Sequence, residues 1–311
     1  MKSKRPLDIV SINNSIPKQI DPCFRNKDGT TMLSTEYDGH LYHDADSRLS
    51  YKVNDHGHHG ANFFQNADIL AIGCSVTAGL GLPYDMTWPH LVAKETKQTV
   101  NVIGIPGAGV EQILHNALLY MEKFGKPKKI MALMPNLHRA WMPTLNDDGK
   151  YHIIPLQWDF KIKEYSKLSK PIRYKDWYGI RRSIPCEPII KNALVSIENF
   201  KIMCKLLDIE FSYYSWDILY TNNIFNKIKE SNIEYEENYD NLDLLQSFYC
   251  FEKYDNRICH YSNNKEHDPF WVRALDHPKT HPGMHAHIHY SEMFLGEKLS
   301  QRIIDESKTK L

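Results

Sequence analysis

The stretch Ala67–Gly81, ADILAIGCSVTAGLG, constrains the fold more than any other in this chain. Ile69, Leu70, Ala71 and Ile72 form a short apolar run that stops at Gly73. A run without polar alternation, bounded by glycine, predicts a strand buried on both faces of a parallel sheet. Parallel neighbours need a crossover connection, and in open α/β sheets ligands sit beyond the carboxyl ends of the strands. Ser75 stands two residues past that end, between Gly73 and Gly79, which let the backbone turn sharply and be approached closely. Taken alone, the segment also fits a plain strand followed by a Ser/Thr turn.

The rest of the chain repeats the pattern. Strands are predicted at Asp68–Gly73, Thr99–Ile103, Lys129–Met134 and Ile209–Tyr214. A helix is predicted over Trp88–Thr96, with Thr87 as N-cap and Pro89 in its first turn. The glycines of GIPGAG (Gly104, Gly107, Gly109) feed a second helix. Its apolar face reads Val110, Ile113, Leu114, Ala117, Leu118 and Met121, and Gly125 with Pro127 closes it. GIPGAG lacks the GxGxxG spacing, and no acidic residue follows where a ribose would need one, so a dinucleotide site is not indicated. Polar residues again follow a strand end at Asn136, His138 and Arg139. Residues 141–185 read as an irregular, aromatic, Pro-interrupted insertion carrying Trp158, Tyr165, Tyr174, Trp177 and Tyr178. A helix over Pro188–Leu207 carries Ile190, Leu194, Ile197, Phe200, Ile202, Met203 and Leu206, and leads to the fourth strand, with Ser215, Trp216 and Asp217 beyond it. Asp276 and His281 fall in a loop before a last helix that opens at Pro282–Gly283 and runs to about Ile304. This order predicts one doubly wound α/β domain at 67–311. Residues 1–66 read as an irregular N-terminal extension with short strands near His40–Tyr42 and Leu49–Val53.

Basic and acidic residues balance at 38 each, so an electrostatic nucleic-acid binder is not expected. No apolar run approaches the ~18 residues of a membrane span. The start, MKSKRPLDIVSINNSIPK, has no apolar core of a signal peptide, and a cytoplasmic address is the expectation. Six cysteines without a CxxC pair suggest thiols in a reducing compartment. Histidine is abundant, at 16. The NDHGHHG segment (His56, His58, His59) offers metal ligands in principle, but its spacing matches no defined motif, and it reads as a polar turn with surface histidines. His285 and His289 are spaced i, i+4 on the last helix, which could pair them on a metal, yet the alternating histidines there point to different faces and suit capping and surface roles. Neither a metal nor a cofactor is expected.

A serine hydroxyl becomes nucleophilic when a base takes its proton, and histidine serves when an acceptor fixes its tautomer. The developing oxyanion then needs preorganised N–H donors. A Ser loop, a Gly loop, an Asn loop and an Asp/His loop occur here in that order. In this the chain resembles the SGNH (GDSL-type) hydrolase superfamily. ILAIGCSVTAGLGLP resembles its first block, NVIGIPGAG the second, MPNLHR the third and DHPKTHPG the last. The resemblance implies a three-layer, flavodoxin-like parallel sheet and an ester hydrolase with Ser75 as nucleophile, His281 as base and Asp276 as its orienting acid. Ser75, Gly107 and Asn136 would form the oxyanion hole. A small-molecule or carbohydrate ester, such as a short acyl ester, would be the substrate. Two departures stand out. Cys74 occupies the position of the family's usual aspartate, and Asp276 lies five residues before His281 where the family has three. His285 is a rival base and Asp268 a rival acid. The alternative expectation is a binding or structural protein that keeps the fold without turnover.

Overall fold

Burial on both faces decides the central layer. In the computed structural model, which describes residues 19–21, 23, 36–38, 50–137, 139–145, 151–156, 186–216 and 281–308, every residue of β3 (Ile69–Gly73) and β4 (Val100–Gly104) is buried. The same holds for β5 (Lys129–Met134) after its first residue. With β8 (Glu210–Ser215) they form a four-stranded sheet in the order β4-β3-β5-β8, and every pairing is parallel. Register is tight: Gly73 pairs with both Gly104 and Leu133, and Met134 with Ser215, so the carboxyl ends finish level with one another.

Four helices cover the two faces. The chain leaves β3 through a one-turn helix, α1 (Ser75–Ala78), and a 3-10 turn (Tyr84–Met86) before α2 (Trp88–Thr96). α3 (Val110–Phe124) joins β4 to β5, and α4 (Cys186–Leu206) precedes β8. β3 to β4 runs one way across the sheet and β4 to β5 runs back, so right-handed crossovers put α2 on one face and α3 with α4 on the other. Packing agrees, since α3 lies against α4, while α2 lies against α5 (Met284–Leu295). The result is a three-layer α/β arrangement. Among the described residues, no helix is long and apolar enough to cross a membrane.

Several boundaries and faces depart from the sequence expectations. On α3 the stripe is Val110, Ile113, Leu114, Ala117, Tyr120 and Phe124; Leu118 falls outside it and is exposed. On α4, Ile202 and Leu206 are exposed because Ala193, Leu194, Ile197, Phe200 and Cys204 take the inward face. The insertion is not irregular throughout: β6 (Ala140–Leu145) and β7 (Tyr151–Leu156) form an antiparallel hairpin. Pro143 and Pro155 sit in it without cost to a wider sheet, because both strands of a two-stranded ribbon are edges. The last helix breaks. Gly296 (φ 73°) caps α5 in the left-handed conformation, and α6 (Gln301–Lys308) starts afresh after Ser300, whose N–H donates to Glu95 Oε2 at 2.9 Å. The N-terminal strands are β1 (Glu36–Asp38) and β2 (Ser50–Lys52), paired antiparallel; His40–Tyr42 lies outside the described residues, as do the five aromatics expected in the insertion.

The sheet's carboxyl edge has no room for side chains at two glycines. A Cβ on Gly73 would overlap Thr77 Oγ1 and lie 2.6 Å from the Leu133 carbonyl oxygen, and one on Gly104 would overlap the backbone of Ala78. Gly104→Ala must therefore push α1 off the sheet. We expect it to lower unfolding stability in urea by about 3 kcal/mol, at the upper end for overpacking; an unchanged midpoint would show that α1 yields freely.

Candidate active site at the carboxyl edge of the sheet

The loop after β3 is held by its shape. Cys74 is extended (φ −93°, ψ −150°) and caps α1 without a side-chain hydrogen bond, and the turn closes on Gly79 at φ 69°. Ser75 is the first residue of α1 and is 8% exposed. Its hydroxyl has one hydrogen-bond acceptor, Cys74 Sγ at the long distance of 4.0 Å. Thr77 Oγ1 accepts from the Trp88 indole at 3.4 Å, tying the turn to α2.

The neighbouring loops end level with it. After β4, Ile105 N–H donates to the Gly73 carbonyl (3.0 Å) and Ala108 N–H to that of Ile105 (3.1 Å), with Gly107 at φ 77° between them. After β5, Asn136 is 7% exposed and its Oδ1 makes no hydrogen bond; its backbone carbonyl accepts from Arg139 N–H at 3.1 Å. Beyond β8, Trp216 N–H donates to the Met134 carbonyl. The strand order reverses between β3 and β5, where the crossovers that follow them depart to opposite faces and leave a crevice. Ser75 and Asn136 flank that reversal, and Gly107 lies past the strand on the other side of β3.

The histidines divide differently from expectation. His281 is partly exposed just before α5, close enough to His287 for its charge to oppose protonation there. His287 itself is buried, and its Nδ1 accepts the Trp88 backbone N–H at 3.0 Å. An acceptor Nδ1 requires the neutral ring, and burial lowers its pKa to about 3. The ring thus satisfies an orphan donor at the start of α2, where Thr87 offers no side-chain cap and spends its hydroxyl on the Tyr84 carbonyl. His289 is buried too, and burial lowers its pKa. His285 is exposed. Surface placement therefore fails for His287 and His289, while capping holds for His287. Among the described residues no hydrogen bond joins an imidazole nitrogen to Ser75 Oγ. Asp276 and Asp268 lie outside the described residues.

NDHGHHG is likewise not a surface turn. His58 and His59 are buried (0% and 2% exposed), with pKa values lowered by burial to about 3 and about 4. His59 Nδ1 lies 3.0 Å from the Ala78 carbonyl at the end of α1, and the Tyr51 hydroxyl accepts the Gly81 N–H at 2.7 Å. These two residues were missed as partners of the Ser75 loop. The alternation of Tyr51 and Val53 into the interior was the available signal, masked by the polar composition that follows. Among the described residues, no group of three His, Cys, Asp or Glu side chains could hold a metal ion.

Three buried neutral histidines make stability depend on acid. Their folded pKa values lie near 3 to 4, below ~6.5 for an unfolded histidine, so the unfolded chain binds more protons in between. Stability is full above about pH 6.5 and falls as pH drops towards 4, by up to about 1.4 kcal/mol per pH unit for each ring. Urea midpoints measured from pH 8 to 4.5 should be flat and then decline, and His287→Asn should remove one proton from the slope. A flat profile down to pH 5 would contradict the buried neutral rings.

No protein family and no curated protein matches the chain by sequence. Among solved structures, a lipolytic protein of the G-D-S-L family from Desulfitobacterium hafniense aligns with 72% of this chain and 95% of its own, at 11% identity and a TM-score of 0.38. That is a distant, low-identity structural likeness.

Proposed function

We propose that this chain is an SGNH-type serine esterase. Ser75 Oγ attacks the acyl carbon while His281 takes its proton, Asp276 orients the imidazole, and the proton passes to the departing alkoxide. Water, deprotonated by the same histidine, then releases the acid and restores Ser75. The Ser75 and Gly107 N–H groups and the Asn136 amide hold the oxyanion. The observation that carries this reading is the level parallel register, which sets the Ser75, Gly107 and Asn136 loops side by side at the carboxyl edge, around the reversal of strand order. The burial of Asn136 at that edge supports it, because a side-chain amide held out of water is a preorganised donor for an oxyanion. The substrate class is a short acyl ester on a small molecule or carbohydrate. The catalytic unit would span 67–311, with 1–66 as an extension, and the unbridged thiols of Cys74 and Cys204 suit a cytoplasmic setting.

One observation favours a second reading, a binding protein without turnover. The Ser75 hydroxyl meets a thiol at 4.0 Å rather than an imidazole. Hydrogen bonds between catalytic groups often tighten only with substrate bound, so kinetics must decide.

p-Nitrophenyl acetate should be hydrolysed faster than a long-chain ester. Ser75→Ala and His281→Ala should each lose about 10³-fold or more of kcat, and Asn136→Ala about 10²-fold. A fluorophosphonate should label Ser75 in the wild type. Neither turnover nor labelling would leave the binding reading.

A further inference from the structure

The turn that carries Ser75 cannot hold itself. α1 is a single turn, far below the length at which a helix is stable on its own. The residue ahead of it, Cys74, contributes no capping hydrogen bond from its side chain. The turn's own backbone bonds are all short-range: Ala78 N–H to the Cys74 carbonyl (3.0 Å), Gly79 N–H to those of Ser75 and Val76 (3.1 Å to Val76), Leu80 N–H to that of Ser75 (3.2 Å) and Leu82 N–H to that of Gly79 (3.0 Å).

Beyond the Thr77–Trp88 bond and the seat on Gly104, the grip on the turn comes from residues 51–60. His59 Nδ1 lies 3.0 Å from the Ala78 carbonyl, and a carbonyl only accepts, so Nδ1 carries the proton. Three residues on, Gly81 N–H donates to the Tyr51 hydroxyl at 2.7 Å. The two clamping rings meet edge to face, with centroids 5.0 Å apart, and His59 also leans on Tyr84 at 5.4 Å. Tyr51 and His59 are buried, so neither bond competes with water. The clamp is itself anchored. Gly60 N–H donates to the Lys52 carbonyl (2.8 Å), and Asn54 Oδ1 accepts from His56 and His58 N–H (both 2.9 Å). Phe64 and Asn101 exchange two hydrogen bonds (3.0 and 2.8 Å), which join the segment to β4.

We propose that Tyr51 and His59 are positioning residues for Ser75, supplying from the N-terminal segment the restraint that a capping side chain within the loop would give. The proposal rests on the hydrolase reading for its effect on turnover, and its structural arm stands apart from that reading. A misplacement of the nucleophile by an ångström can cost about 10²-fold in rate, so two buried hydrogen bonds on one short turn matter to kcat more than to binding.

Tyr51→Phe keeps the ring and deletes the acceptor, His59→Phe deletes the donor, and His59→Asn restores an N–H at the same distance from the backbone. Hydrogen exchange of peptides covering residues 76–83 would be followed at pH 7.5, with kcat and KM for p-nitrophenyl acetate and the rate of fluorophosphonate labelling. Both Phe variants should exchange at least ~10-fold faster within 76–83 while the sheet peptides keep their protection. kcat and the labelling rate should fall about 10-fold with KM within about twofold, and His59→Asn should recover much of both. Faster exchange spread evenly over the domain, unchanged exchange at 76–83, or altered exchange with unchanged kcat in an active enzyme would each overturn the proposal. If the wild type neither turns over nor labels, the esterase reading falls, and localised exchange in Tyr51→Phe still decides whether the clamp holds the turn.

Discussion

The absence of two side chains organises this molecule. At Gly73 and Gly104, paired across adjacent strands, the sheet ends in bare backbone, and α1 settles directly onto it. Everything proposed for the site follows from that seat. Ser75 emerges at the first turn because the chain can bend immediately after β3, and the loops after β4 and β5 finish level with it because the three strands share one register. Hydrophobic burial supplies the driving force for such a sheet, but it is directionless. The glycines decide how closely the next element approaches.

Much of this was legible in the residues. The four-residue apolar run that stops at Gly73 identified β3 and a run rich in β-branched residues identified β4, and the intervals between strands fixed the crossovers, because parallel strands allow few other solutions. α2 and β5 fall on their expected bounds, since Thr87-Trp-Pro and the Lys129–Met134 run carry their own punctuation. The break at Gly296 also has a signal in the residues, since a glycine followed within a few residues by a serine is a stop and a start. Less visible were facts that depend on two distant segments at once. Leu118 and Leu206 are apolar and helical, yet their neighbours won the inward face.

Histidine was the residue type most often misjudged. A local reading treats HGHH as polar and therefore exposed. In the fold, His58 and His59 meet aromatic rings and His287 meets a backbone amide, so each is kept neutral and inside. An imidazole without charge is a flat ring that packs against other rings as well as donating and accepting hydrogen bonds, so its polarity alone does not decide its burial. For His59 and His287 the hydrogen-bond partner lies 19 and 199 residues away, beyond any sequence window of ordinary length. The candidate site was legible at Ser75, Gly107 and Asn136, which lie just past strands. It was least so at Tyr51 and His59, whose partners lie 30 and 19 residues away.

The cap on α2 joins partners 199 residues apart, and it is not the only such link. Ser291 Oγ donates to the Trp88 carbonyl across 203 residues, and Glu95, near the other end of α2, receives Ser300 N–H across 205. α2 is thus tied near both ends to residues 287–300. During synthesis the sheet strands β3, β4 and β5 are all available well before residue 287 exists. α2 must wait with its first amide unsatisfied and its outer face uncovered. Closure of this face therefore waits for residues 287–300, and is set by the slow, entropy-costly meeting of distant parts rather than by the order in which the strands appear.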